Sequence, residues 1–374
     1  MSDMKFKDRI IPQTRLPGNT HRGGLAGNVS TCKAAIWRGD NRLELIEREI
    51  PSPGPGKALI RIRTAGICGT DLHILSGKHP EVRPPLVPGH EFAGEVANVG
   101  DGVDGNLLGA RVGADSYVGC GECAYCRSRR PQLCEKGPCE LGINLDGGWA
   151  DYVVVPAENL YRLPDEVSFL EAGAGCILNC PMAAIETVRV EPGDVVLIIG
   201  DGPSSLVMVQ IAVLKGASKV VVAGHRKRRL SLALELGACQ AINTHAADWR
   251  ESLRALPRAP QVVIDAVGKS ETFALALSLA GREGRVHLFG LPEGPLDGIP
   301  LDALLFKELR IVSSTGAPSL WGAAMEHLRR GRLRIAPIIS HRFPLEEAPE
   351  ALRYIVHHPE EMVKAVFEMN GGPV

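Results

Sequence analysis

Four cysteines fall in one short stretch, at Cys120, Cys123, Cys126 and Cys134, with gaps of two, two and seven residues. One loop carrying four thiolates can wrap a single ion tetrahedrally, the donor set of a structural zinc. An iron–sulfur cluster also uses two C-x2-C steps, but its fourth spacing is shorter and followed by proline. Here Glu135 follows Cys134. A redox pair needs only two thiols. Protein fills all four positions, so no place is left for a substrate. The lobe 119–135 is expected to hold a structure together.

A second set of metal-binding side chains is scattered. GICGTDLH supplies Cys68, Thr70, Asp71 and His73; PGHEFAG supplies His90 and Glu91; GAGCILNCP supplies Cys176 and Cys180. A catalytic zinc takes three protein ligands and keeps one position open. Cys68, His90 and Cys176 would meet that need with two sulfurs and an imidazole. No spacing rule links residues so far apart, and each has a local alternative. A lone cysteine is often a small core residue. His90 and Glu91 could be a solvated pair, and Thr70 and Asp71 could cap a helix starting at DLHIL.

The third candidate is VVLIIGDGPSSL, a strand, a glycine turn and a helix start. Gly200 permits the tight turn, and Gly202 lets the backbone approach a pyrophosphate at the helix N-terminus, beside Pro203 and Ser204. Ser205 stands where the G-x-G-x-x-G pattern has its third glycine; its small size is compatible with close helix–strand packing. NAD-binding units place an acidic residue about 20 residues on, to accept the ribose hydroxyls. At that place this chain runs Gly224, His225, Arg226, Lys227, Arg228, Arg229. No local carboxylate is there to repel a 2′-phosphate, and several cations could hold one. NADP(H) is therefore favoured over NAD(H); the alternative is that RKRR is the solvated first turn of a helix.

These groups need a scaffold of two textures. From residue 31 to about 150 the chain is rich in Pro and Gly, and KALIRIRTAG, EFAGEVANVG and DYVVVPAENL read as strands of a compact β unit. From about residue 190, continuous apolar strands (VVLIIG, SKVVVAG, QVVIDAVG, RVHLFG, LRIVSST) alternate with helical stretches stopped at Gly216 and Gly237. That alternation predicts right-handed βαβ units and a doubly wound parallel sheet, hence the α/β class. The 374 residues, 45% apolar, suffice for two domains. A net charge of −1, from 42 basic and 43 acidic side chains, argues against nucleic acid or an acidic membrane as partner. No apolar run reaches membrane-spanning length. The N-terminus lacks a secretory signal, so a cytoplasmic location with ten reduced cysteines is expected. Residues 1–30 read as a flexible arm.

In their order, GICGTDLH, PGHEFAGEV, the four-cysteine lobe and the glycine turn resemble the zinc-dependent medium-chain alcohol dehydrogenases, over about residues 32–370. The resemblance implies a β-rich GroES-like catalytic domain (31–180 and 325–374) with a Rossmann domain (181–324) inserted. It implies two zinc ions per chain, one catalytic and one structural. Cys68 and His90 inherit catalytic zinc ligation, and Glu91 lies beside the metal and ligates it in some members. The remaining ligand, Cys in simple alcohol dehydrogenases and Glu in many polyol and threonine dehydrogenases, falls on Cys176 when counted back from EPGDVVLIIG. Cys180 becomes a packed neighbour. Thr70 takes the first hydrogen bond from the substrate alcohol, His73 the outer end of a proton relay, and Asp71 orients a ligand imidazole. Gly224 and Arg226 match the G-S-R stretch of NADP-dependent members, whereas Ser205 departs from the usual G-x-G-P-x-G. The implied reaction is reversible hydride transfer between NADP(H) and an alcohol/carbonyl pair, in a homodimer or homotetramer. LGINLDGGWADYVVVPAENLYRLPD resembles polyol and threonine dehydrogenases, while Cys176 leans toward simple alcohols. Rival readings are a zinc-independent quinone or enoyl reductase of the same superfamily and a non-catalytic nucleotide-binding protein on this fold.

Overall fold

The computed structural model describes residues 30–79, 82–292, 294, 295 and 297–369; the expected arm, but for Ser30, lies outside the described residues. Six parallel strands form one sheet in the spatial order 240–243, 219–224, 195–199, 262–265, 285–288 and 310–313. Numbered along the chain that order is 3-2-1-4-5-6, the doubly wound Rossmann order. Every residue of Val195–Ile199 is buried, which explains its unbroken apolar run. The helices Pro203–Leu214, Lys227–Glu235 and Ser270–Leu279 connect and cover the strands.

The second sheet has seven strands from both sides of this unit. Its order is Ile339–Pro344, Lys364–Glu368, Lys57–Ile67, Phe92–Val99, Arg111–Ala114 and Leu160–Arg162, with Tyr152–Pro156 also on Lys57–Ile67. Lys57–Ile67 and Phe92–Val99 run antiparallel, with Ala65 opposite Phe92. Gly66 N donates to Glu91 O at 2.9 Å. This pairing brings Cys68, just after one strand, beside His90, two residues before the other. The α/β class and the parallel sheet expected from strand–helix alternation are both present.

The helix Cys176–Val188 runs from the β unit into the Rossmann core, where Ile177, Leu178 and Ile185 pack with Val196, Ile198 and Leu206. A buried polar knot pins its first turns. Asp115 accepts from Trp321 Nε1 at 2.8 Å, Tyr117 N at 2.8 Å and Asn179 Nδ2 at 3.4 Å. Burial pushes the Asp115 carboxyl up to about 6, against those hydrogen bonds. Among the described residues no helix is long and apolar enough to cross a membrane.

Removing the indole donor by Trp321→Phe should leave a buried carboxylate oxygen short of a partner, at a cost of about 1–3 kcal/mol. The urea midpoint is expected to fall; an unaltered midpoint would show that the knot does not stabilise the junction.

Candidate metal centres and nucleotide turn

Cys68 ends the strand Lys57–Ile67 and caps the helix Gly69–Leu75. Its N–H donates to Asp71 Oδ2 at 2.7 Å, while Asp71 Oδ1 lies 3.3 Å from His90 Nδ1. One buried carboxylate therefore caps the helix and faces the imidazole ring. Thr70 Oγ1 lies 3.8 Å from Cys68 Sγ, and His73 follows one turn later, half-buried. Cys176 begins its own helix on the opposite side. The donor atoms of Cys68, His90, Glu91 and Cys176 all lie within 4.8 Å of one another. Cys180 is outside this group; its Sγ is 3.5 Å from Cys176 Sγ and donates to Thr315 O at 3.3 Å.

Sequence reasoning missed Lys364. Its Nζ donates to Glu91 Oε1 at 2.7 Å, with the two side chains 2% and 0% exposed. The available signal was a lone cation in an apolar strand, VKAVF. The electrostatics of the cluster are those of a cation site. A hydrogen bond from Cys176 chiefly holds the Cys68 thiol well below its usual range; Cys180 and Cys68 push Cys176 well above it. The opposite shifts of the two sulfurs favour a thiolate at Cys68, the form a metal ion binds. Burial pulls His90 down, but Asp71 and Cys68 prevail and its net shift is upward. Burial and the Cys68 charge push Glu91 up to about 7 against the pull of Lys364, whose own shift is upward because Glu91 outweighs burial. A divalent ion would cancel the thiolate part of that push, and the pair is best described as ionised.

Among the described residues, buried His90 Nδ1, Asp71 Oδ1 and Glu91 Oε2 have no hydrogen-bond partner of good geometry. Two sulfurs and an imidazole suit zinc, so the residues fit the ion. The cluster depends on a tight backbone. Gly89 has φ +95°, and a Cβ there would lie 2.3 Å from Trp149 Cδ1. Trp149 Nε1 in turn donates to Gly66 O at 3.1 Å, clamping the strand end that presents Cys68.

Cys120, Cys123, Cys126 and Cys134 also place their sulfurs within 4.8 Å of one another. Cys123 N donates to Cys120 Sγ and Cys126 N to Cys123 Sγ, both at 3.4 Å. The Cys126 N–H leads in lowering Cys123 to about 6. Backbone donors of this kind stabilise thiolates, as a closed zinc site requires.

At the nucleotide turn, Gly200 has φ +116° and Gly202 caps the helix Pro203–Leu214. Ser205 is fully buried and its hydroxyl has no partner among the described residues. The sequence suggests no carboxylate at the end of the strand Lys219–Gly224, but Asp201 reaches there from the glycine turn. Its Oδ2 accepts from His225 N at 2.8 Å and Arg226 N at 2.7 Å. Its Oδ1 lies 3.7 Å from Arg226 Nη1 and 3.6 Å from Arg229 Nη1. Gly224 makes room, since a Cβ there would come within 2.4 Å of Asp201 Cβ. The signal was an acid inside the glycine motif itself.

Arg229 also departs from expectation. Its Nε and Nη2 both donate to Met362 O, at 2.9 and 2.6 Å. It joins the nucleotide unit to the strand approach of Lys364 and is not a free phosphate ligand; burial lowers it to about 10. Arg226 remains partly exposed, with Glu360 Oε1 3.6 Å from its Nε. His225 stacks on His245, ring centroids 4.8 Å apart.

Gly89→Ala should displace His90. Elemental analysis is expected to fall from two zinc ions per chain to one, the four-cysteine lobe keeping its own. Retention of both would show that the Gly89 turn does not position the ligand.

Comparison with known proteins agrees with this geometry. Residues 54–165 match the alcohol dehydrogenase GroES-like domain, and residues 205–330 match the zinc-binding dehydrogenase family. The chain is 33% identical to the L-threonine 3-dehydrogenase of Pyrococcus furiosus over 327 residues, covering 83% of this chain and 92% of that protein. The rspB alcohol dehydrogenase of E. coli CFT073, solved with NADH, superimposes with a TM-score of 0.86 at 30% identity, over 91% of this chain and 99% of that one. A putative zinc-binding dehydrogenase of Sinorhizobium meliloti, solved with NADP, gives a TM-score of 0.83 at 32% identity, again over 91% and 99%. On these grounds the chain belongs to the zinc-binding medium-chain alcohol dehydrogenase family and is a zinc-dependent, NAD(P)-linked dehydrogenase.

Proposed function

We propose that this dehydrogenase oxidises a secondary alcohol of the polyol or amino-alcohol type reversibly, with NADP⁺ preferred over NAD⁺. The observation that carries the reading is the convergence of Cys68, His90 and Cys176 beside a Glu91 carboxylate held by Lys364. Cys68, His90 and Cys176 are the zinc ligands in this reading. Lys364 holds Glu91 through Oε1, and Glu91 lies beside a site whose three ligands are the number of an open catalytic centre. A zinc ion there supplies Lewis acidity, polarising a carbonyl or lowering the pKa of an alcohol. Asp71 orients His90 through Nδ1. Thr70 Oγ1 accepts the hydrogen bond of the substrate hydroxyl and, as it takes that proton, gives up its own toward His73, the outer end of the relay to solvent. Cys120, Cys123, Cys126 and Cys134 hold the structural zinc.

The backbone at Gly202 and Ser204, with Pro203 opening the helix, holds the pyrophosphate. Ser205 gives close packing and Gly224 admits Asp201. The relatives hold NADH in one case and NADP in another, so the preference rests on this chain's own residues. Asp201 spends one oxygen on two backbone donors, which leaves Arg226 and His225 to face a 2′-phosphate. A threonine dehydrogenase among the relatives supports a substrate with a second polar group. A reducing cytoplasm would keep the cysteines as thiols.

The decisive assay measures kcat/KM for a panel of alcohols and polyols with each cofactor. Arg226→Ala should raise KM for NADP⁺ about ten- to a hundredfold, the loss of one charge-assisted contact, and move that for NAD⁺ less than threefold. A clear wild-type preference for NAD⁺ would overturn the cofactor assignment. No turnover in the panel would overturn the enzyme reading.

The same proposal includes a homodimer or homotetramer. The strand Arg310–Ser313 is an open edge of the six-stranded sheet, and Ile311, Leu301, Leu305 and Phe306 nearby are exposed. Such an edge is a template for pairing. Light scattering should give at least twice the 40.1 kDa chain mass, and Phe306→Asp should shift it toward the monomer. A monomeric wild type would exclude this assembly.

A further inference from the structure

Glu140 is a carboxylate beside the metal cluster that the chemistry above does not use. It ends the short strand Cys139–Glu140, which pairs antiparallel with Tyr117–Val118 and sets Glu140 opposite Tyr117. Two residues on, Gly142 packs against the backbone of the ligand itself. A Cβ there would lie 2.5 Å from Gly89 C and 2.6 Å from His90 N. On the other flank, the Tyr117 hydroxyl donates to Thr315 O at 3.4 Å, the carbonyl that also accepts from Cys180 Sγ. The Glu140–Tyr117 pair therefore lies between the His90 side and the Cys176–Cys180 side of the cluster.

The carboxyl is held in place. Ser116 Oγ donates to Glu140 Oε1 at 2.8 Å. Glu140 Oε2 accepts no hydrogen bond among the described residues, and it is not sealed in the interior with the orphaned atoms named above. Burial pushes the carboxyl up, while His90 pulls it down and Cys68 pushes it up, so it shares the field of the ligand set. The other acids there are sealed inside: Glu91 is held through Oε1 by Lys364 and Asp71 through Oδ2 by the Cys68 N–H, and their second oxygens are buried against the cluster. Glu140 keeps an oxygen to offer.

Building on the dehydrogenase reading, we infer that Glu140 Oε2 recognises a second hydrogen-bond donor of the substrate, a hydroxyl or an ammonium near the reacting carbinol. The same oxygen disfavours a simple alcohol, because an apolar group placed against it leaves the carboxylate unpaired. It likewise disfavours a substrate that puts an anionic group there. Selectivity for polyols or amino alcohols then comes from a side chain outside the metal shell.

The test uses three matched substrates, butan-2-ol, butane-2,3-diol and 3-aminobutan-2-ol, with the zinc-loaded wild type, Glu140→Gln and Glu140→Leu. In the wild type kcat/KM should favour at least one donor-bearing alcohol over butan-2-ol by tenfold or more. Glu140→Leu should abolish that advantage. Glu140→Gln distinguishes the two donors: a larger fall for the amino alcohol than for the diol assigns an ammonium, and equal falls assign a hydroxyl. Zinc content of two per chain is the check on folding. If the leucine variant does not fold, the near-isosteric glutamine variant decides. No donor advantage in the wild type overturns the inference alone, as does an advantage that the folded variants keep within twofold. Failure of the wild type to oxidise any of the three, like failure across the wider panel, overturns the dehydrogenase reading and this inference with it.

Discussion

The buried ion pair between Lys364 and Glu91 is the contact on which the rest of the site turns. Two unit charges out of water cost several kcal/mol each unless closely matched. Here the match is a 2.7 Å contact between side chains with almost no exposure. It ties the C-terminal strand Lys364–Glu368 to the residue beside His90, across most of the chain's length. It also takes one carboxylate oxygen out of the donor set. In the proposed reading, Cys68, His90 and Cys176 then hold the ion and a fourth position stays open for substrate. Two residues before Lys364, Met362 O receives Arg229 from the nucleotide unit. One short segment thus touches both halves of the chemistry.

The nucleotide turn is built on a similar compensation. Asp201 brings a negative charge to a place rich in positive charge, but it spends that charge on two backbone N–H groups and on holding arginines near it. Gly224 has no side chain because Asp201 fills the space. The carboxylate that other nucleotide-binding units deliver from the end of the second strand comes here from the first turn, and its oxygens face the protein. Arg229 is turned to Met362 O, while Arg226 stays partly exposed beside Asp201 and Glu360.

On the substrate side two signals pull apart. Cys176 belongs with simple alcohols, whereas 141–165 belongs with polyols and amino alcohols. In the inference drawn above, Glu140, just before that segment, reconciles them. The metal shell can be the one suited to any alcohol, while a hydrogen-bonding wall outside it sets the preference. In that reading the shell controls how a carbinol reacts, and the wall controls which carbinol is held.

The four-cysteine lobe and the glycine turn were legible in the sequence, because each is local: a few residues set both donor identity and spacing. The parallel sheet was legible for a related reason, since strands buried on both faces need unbroken apolar runs. The residue types at Cys68, His90 and Cys176 could be read, but their meeting could not be derived from spacing; it required a resemblance. Only the register of Lys57–Ile67 on Phe92–Val99, and the helix starting at Cys176, bring them together. The partners of Lys364, Asp201, Arg229 and Glu140 could not be read from the sequence, since a charged residue shows its role only through the partner that meets it. Local pattern determined what the chain can bind; tertiary pairing decided which charges cancel, which remain, and so what the site can select.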